Sequence, residues 1–153
     1  MSKVLVVTND FPPRPGGIQT FVHELVRRLD PAQVVVYASR WRGWEQFDAS
    51  QPFRVVREDT RVLLPTPAVR ARAVALLREE ACDAVLFGAA APLGLLGPAL
   101  RVAGARRLVA LTHGHEAGWA QLPGARGLLR RIGDGVDTVT YLGEYTHQRI
   151  GSA

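Results

Sequence analysis

The chain has 153 residues, 47% hydrophobic and 22% charged. This is the composition of one globular domain and excludes wholesale disorder or two independent cores. One cysteine, Cys82, excludes an intrachain disulfide framework and a multi-cysteine zinc site, and fits a reducing compartment. The 19 basic residues, all arginine except Lys3, outnumber the 14 acidic ones for a net charge of +5, so nucleic acid, nucleotides and anionic lipid are admissible partners on charge alone.

The start, MSKVLVVTND, lacks the apolar core and cleavage site of a signal peptide. No window reaches the roughly 18 apolar residues of a membrane span, so a cytosolic domain is expected. Lys3 to Thr8 is an apolar run that predicts a strand buried on both faces, ended by Asn9-Asp10 and the Pro12-Pro13 pair. Gly16-Gly17 opens a helix in which Ile18, Phe21, Val22, Leu25, Val26 and Leu29 recur at helical spacing, and Asp30-Pro31 stops it. Val34 to Tyr37 and Phe53 to Val56 predict the second and third strands. Between them Ser39 to Pro52 reads as a polar and aromatic loop carrying Trp41, Trp44 and Phe47.

Thr66-Pro67 is an N-cap followed by proline at the first helical position, opening a helix to Glu80. Asp83 to Phe87 is the fourth strand, Pro92 to Gly104 a helix, and Arg107 to Leu111 the fifth strand. The loop Thr112 to Glu116 follows. A helix near Gly124 to Ile132, a sixth strand from Val136 to Leu142 and a helix starting near Glu144 complete the pattern. Repeated strand–helix alternation with unbroken apolar strands predicts an α/β fold, a Rossmann-like doubly wound parallel sheet. In such sheets ligands bind at the carboxyl ends of the strands, which directs attention to the loops Asn9–Gly17, Gly88–Pro92 and Thr112–Gly118.

The first of these loops is neither G-x-G-x-x-G nor G-x-x-x-x-G-K-[ST], so the dinucleotide and triphosphate fingerprints are missing. Two adjacent glycines at a helix start still expose amide N–H groups backed by the helix dipole, a place for an anion. The same glycines equally suit a tight turn feeding a close-packed helix. Arg14 suits a phosphate contact or plain solvation. In the third loop His113 and His115, two apart after a strand, share one direction. Polar groups that orient a substrate, strand-end capping and metal ligation are all compatible with them, although a metal needs further ligands.

The run Asn-Asp-Phe-Pro-Pro-Arg-Pro-Gly-Gly-Ile-Gln after the first strand, and Leu-Thr-His-Gly-His-Glu after the fifth, resemble the corresponding loops of retaining GT-B glycosyltransferases. With Phe87-Gly88-Ala89-Ala90-Ala91-Pro92-Leu93 the likeness narrows to actinobacterial phosphatidylinositol mannosyltransferases, and it runs from Lys3 to about Ile150. The resemblance implies one half of a GT-B fold, with residues 1–153 as the amino-terminal, acceptor-side domain. It implies GDP-mannose as donor, a phosphatidylinositol mannoside as anionic glycolipid acceptor, and no metal or other cofactor.

By motif, Gly16 and Gly17 would meet the donor diphosphate and His113 would be the active-site histidine beside the transferred sugar. Asn9, Asp10, Arg14, His115 and Glu116 would belong to the acceptor side. The family's Ser-Glu-Tyr-Thr run has Gly143 in place of its serine here, which removes a hydroxyl contact at that position. The carboxyl-terminal domain of such enzymes supplies a basic pair and an acidic ribose ligand whose motifs this chain lacks. The chain alone is therefore expected to be inactive, and an exposed interdomain face could promote non-native dimers.

Arg70, Arg72 and Arg78 accompany Val69, Ala73, Leu76 and Leu77 on the helix from Pro67, with Arg54, Arg57 and Arg61 upstream. Together with Trp41 and Trp44 they suggest peripheral contact with the cytoplasmic face of a membrane, against a plain solvated face. Two other functions remain compatible with the residues: a stand-alone nucleotide- or phosphosugar-binding domain, and a metal-dependent hydrolase using His113 and His115. Dispersed arginines without a recognised module argue against nucleic acid.

Overall fold

A computed structural model describes residues 2–112, 130–132 and 134–140. Six parallel strands, β1 (Val4–Thr8), β2 (Val34–Ser39), β3 (Arg54–Glu58), β4 (Ala84–Phe87), β5 (Arg107–Leu111) and β6 (Thr138–Thr140), form one sheet in the order β3-β2-β1-β4-β5-β6. This is the doubly wound order, in which the chain reverses direction across the sheet between β1 and β4. The registers Val6 to Val36, Val6 to Leu86 and Val36 to Val55 bring the carboxyl ends of the central strands level.

Alternation along each strand divides the core into two layers. Leu5, Val7, Val35, Tyr37, Val85, Phe87, Leu108 and Ala110 face one side. There they meet α3 (Pro67–Glu79) through Val69, Ala73, Leu76 and Leu77, and the Leu93–Leu100 segment through Leu93, Leu96 and Leu100. Val6, Val34, Val36 and Ala38 face the other side, against Val22 and Val26 of α1 (Gly17–Arg27) and the rings of Phe11 and Phe53. Phe21, expected in the apolar stripe of α1, is 46% exposed.

Thr66 caps α3 as its sequence predicts, its hydroxyl accepting from the Val69 N–H at 3.2 Å. The segment after β4 departs from the expected single helix. A 3-10 turn over Leu93–Leu96 precedes α4 (Gly97–Val102). Pro98 has no N–H to continue a ladder from the preceding turn, which accounts for a fresh helix start there. The loop expected between β2 and β3 also contains a short helix, α2 (Trp44–Ala49). A cleft of about 560 Å³ between α1 and β4–β5 opens at the amino ends of the strands, lined by Val4, Leu25, Leu29, Leu86, Arg107 and others, away from the loop edge.

Candidate functional site

The crevice where strand order reverses lies between the loops that leave β1 and β4. Both loops are tied closely. The Gly88 N–H donates to the Val7 carbonyl at 3.1 Å and the Ala90 N–H to the Leu111 carbonyl at 2.7 Å, so the β4 loop bridges its two neighbours. A Cβ on Gly88 would strike the Thr8 side chain, whose Cβ would lie 2.7 Å away. The buried Thr8 hydroxyl also accepts from the Asp10 N–H at 2.8 Å. The Pro12-Pro13 and Ala91-Pro92 peptide bonds, one in each loop, are cis.

Four anchors fix the β1–α1 loop. Asn9 pairs its carboxamide with the Leu63 backbone, donating to the carbonyl at 2.9 Å and accepting from the N–H at 2.5 Å. Phe11 is buried among His23, Phe47 and Phe53 in edge-on contacts with ring centroids 5.6 to 6.2 Å apart. The Arg57 guanidinium donates to the Pro12 carbonyl at 2.7 Å and to the Ser39 carbonyl at 2.9 Å, and binds Asp48 through both carboxylate oxygens at 2.8 and 3.1 Å. Gln19, on the first turn of α1, donates to Asp10 at 3.1 Å.

Arg57 corrects its expected place in a basic surface run: its side chain is 1% exposed. Neither Phe11 nor Arg57 stood out as an anchor in the sequence. A loop phenylalanine and a strand arginine carry no local signal of burial. Only the sheet register, which sets Arg57 beside Ala38, reveals the clamp.

With the loop held from beneath, the start of α1 faces outward. Gly16 and Gly17 are exposed, no side chain caps the helix, and its first turn carries no acidic residue. Gly16 adopts φ 146° and ψ 165°, a conformation open essentially only to glycine. A Cβ on Gly17 would meet nothing within 4 Å. The first N–H groups of a helix have no intrahelical acceptor and concentrate its positive dipole end, so this opening can receive an anion.

Of the residues singled out by sequence, Asn9, Asp10, Arg14, Gly16 and Gly17 gather on this loop. Asn9 spends its carboxamide on Leu63, and Asp10 receives Gln19. Arg14 lies over the Trp41 ring, 5.2 Å from its centroid, while Arg40 lies over Trp44 at 4.8 Å. His113, His115 and Glu116 lie outside the described residues, as does Gly143. The described part of β5 ends at Leu111, followed by buried Thr112. Among the described residues no three potential metal ligands come together.

Arg70, Arg72 and Arg78 are exposed on α3. The apolar residues expected to join them in an amphipathic surface, Val69, Ala73, Leu76 and Leu77, instead pack into the core. Exposed apolar groups near this helix come from the loop before it, Val62 and Leu64. Arg54 is engaged by Glu80.

Among the described residues three groups have shifted ionisation, one of them the Cys82 thiol, which burial pushes up. Burial, and then its hydrogen bond to Glu58 at 2.8 Å, push the Tyr37 hydroxyl well above the ordinary phenol range, so it stays protonated as a donor. At the other side of the sheet, the Leu108 N–H, followed by Arg101, holds the Asp137 carboxyl below its ordinary value. Cys82 and Asp137 precede β4 and β6, at the amino ends of the strands and away from the loop edge.

A doubly wound parallel sheet with an open, glycine-started helix at its switch point defines a Rossmann-type domain. The fold matches that of Anabaena HepE, solved in complex with UDP and glucose, with a TM-score of 0.72 at 12% identity over 99% of this chain and 41% of that one. The chain belongs to Glycosyltransferase Family 4, whose sequence profile matches residues 15–152.

Among curated proteins it is 52% identical to the GDP-mannose-dependent alpha-(1-6)-phosphatidylinositol monomannoside mannosyltransferase of Mycobacterium tuberculosis, over all of this chain and 41% of that protein. It is 53% identical to the protein of the same name from Mycolicibacterium smegmatis, over 98% of this chain and 40% of that one. Identity is 46% to the GDP-mannose-dependent monoacylated alpha-(1-6)-phosphatidylinositol monomannoside mannosyltransferase of Corynebacterium glutamicum, over 99% and 40%. The chain thus spans about two fifths of the length of these relatives.

Proposed function

We propose that the chain forms the acceptor-side, amino-terminal part of a retaining mannosyltransferase that moves mannose from GDP-mannose to a phosphatidylinositol mannoside. The observation that carries this reading is the exposed, uncapped Gly16-Gly17 start of α1 at the switch point. It occurs in a chain 46 to 53% identical to enzymes named for that donor and acceptor.

In such a transfer the sugar ring gains positive character while the departing diphosphate gains negative charge. Amide donors at the α1 start bind that leaving group and stabilise it most as its charge grows; losing one comparable donor costs about 3–4 kcal/mol. Because Asn9, Phe11, Arg57 and Gln19 hold the loop in place, little reorganisation accompanies the reaction. His113 lies beside the transferred mannose in this reading, with His115 and Glu116 on the acceptor wall. The leaving diphosphate assists attack from the same face of the sugar, and no divalent metal or other cofactor takes part.

Catalysis in this reading needs a second domain for most donor contacts. The protein works at the cytoplasmic face of the membrane, where Arg70, Arg72 and Arg78 meet anionic lipid and Val62 and Leu64 the interface. The test is a mannose-transfer assay with GDP-mannose and phosphatidylinositol monomannoside, using the full-length protein. Wild type should transfer mannose in chelator as well as without it, and His113→Ala should lose most turnover while keeping its melting temperature. Near-normal turnover by His113→Ala would refute the role given to that residue, and no transfer by wild type would refute the reading as a whole.

A further inference from the structure

A second basic site lies beside the β1–α1 loop, on the side of β2 and β3. A cavity of about 350 Å³ is lined by Trp41, Arg42 and Arg61, within the size range of small-molecule sites. An adjoining hollow adds Arg40, Trp44, Asp59 and Thr60 to the same wall. The walls are fixed: the Arg40 N–H donates to the Thr60 carbonyl at 2.8 Å, joining the segments that leave β2 and β3. Behind them, a Cβ on Gly43 would come within 3.9 Å of Pro13. Arg14 over Trp41 and Arg40 over Trp44 hold the indoles in place.

Charge makes this more than a hollow. Arg40 is answered by Asp59 at 3.0 Å. Among the described residues Arg42 and Arg61 make no ion pair, and both are exposed. Two uncommitted guanidinium groups flanking an indole offer forked donors to phosphate oxygens and a flat apolar surface to the C–H face of a polyol ring. The cavity's lining residues follow β2 and β3, whereas Gly16 and Gly17 open α1, so the two sets of donors come from different segments of the chain.

We propose that Trp41, Arg42 and Arg61 form a subsite for a phosphodiester-linked polyol, the headgroup of the acceptor lipid. The assignment of the ligand rests on the transferase reading above, while the anion site itself rests on the cavity. A headgroup gripped here enters from the β2–β3 side and presents its sugar across the β1–α1 loop toward the end of β5.

The experiment titrates the full chain with glycerophosphoinositol, inorganic phosphate and uncharged inositol, reading tryptophan fluorescence and calorimetry. Glycerophosphoinositol should bind more tightly than phosphate, and inositol should not bind measurably. The double variant Arg42→Gln/Arg61→Gln should bind it at least about tenfold more weakly, as expected for losing charged hydrogen bonds. Trp41→Phe should weaken glycerophosphoinositol while leaving phosphate unchanged, and circular dichroism melts should match wild type for both variants.

Unchanged binding in the double variant overturns the subsite. Equal affinity for inorganic phosphate and the phosphodiester shows that the pocket reads a bare phosphate, and overturns the headgroup. Failure of wild-type mannose transfer, with glycerophosphoinositol still lost in the double variant, overturns the transferase reading and leaves the subsite standing.

Discussion

The side chain of Gln19 occupies the space that a Cβ on Gly16 would need. That same carboxamide reaches Asp10, so the glycine's missing side chain and the loop's hydrogen bond are two aspects of one contact. Gly16→Ala should therefore cost about 1–3 kcal/mol, from an unfavourable backbone conformation and a displaced Gln19. Gly17→Ala meets open space and should leave the urea midpoint unchanged. In the full-length protein it should nonetheless weaken GDP-mannose binding, because its methyl group stands before the exposed amides. Equal destabilisation by the two substitutions would contradict this distinction.

Arg57 and Asp48 form a nearly enclosed ion pair, 1% and 14% exposed. Removing one partner strands the other charge, at a cost of about 3–5 kcal/mol. Arg57→Ala also frees the Pro12 and Ser39 carbonyls, so it should destabilise more than Asp48→Ala. Chemical denaturation of both variants, compared with wild type, measures the difference.

Asn9→Ala leaves the fully buried Leu63 without its side-chain partner and should cost about 1–3 kcal/mol. Hydrogen exchange should quicken at the Leu63 amide before it does in β1. An unchanged Leu63 protection factor would mean that other contacts hold the segment.

Asp137 has a lowered folded-state pKa, so its contribution is present above its ordinary value, 3.8, and is lost as pH falls through the lowered one. Its carboxylate accepts from the Leu108 N–H at 2.8 Å and from Arg101 at 2.7 Å, fastening the start of β6 to β5. Asp137→Asn should lower stability at neutral pH and reduce the loss seen on acidification below 3.8. Denaturant midpoints across that range give the slope directly.

The central strands were legible because they are apolar runs long enough to exclude other readings, whereas the switch point between β1 and β4 emerges only from the strand order. Thr66-Pro67 announced α3 through cap chemistry that acts locally. By contrast α2 was hidden: a helix of six residues gives no sustained periodicity, and it starts after Gly43 in the left-handed conformation rather than after a capping side chain. The clamp by Arg57 was hidden for a different reason. Its partners lie 9 to 45 residues away and meet only when β2 and β3 pair. The amphipathic reading of α3 found the correct apolar residues and assigned them to lipid, whereas the sheet had prior claim on them.

The near contact between Gly88 and Thr8 makes the ends of β1 and β4 mutually dependent. Swapping one loop for a relative's version, to alter specificity, would misplace the other unless both positions travel together. Chimeras of this domain are therefore best cut so that the two strand ends remain from a single parent.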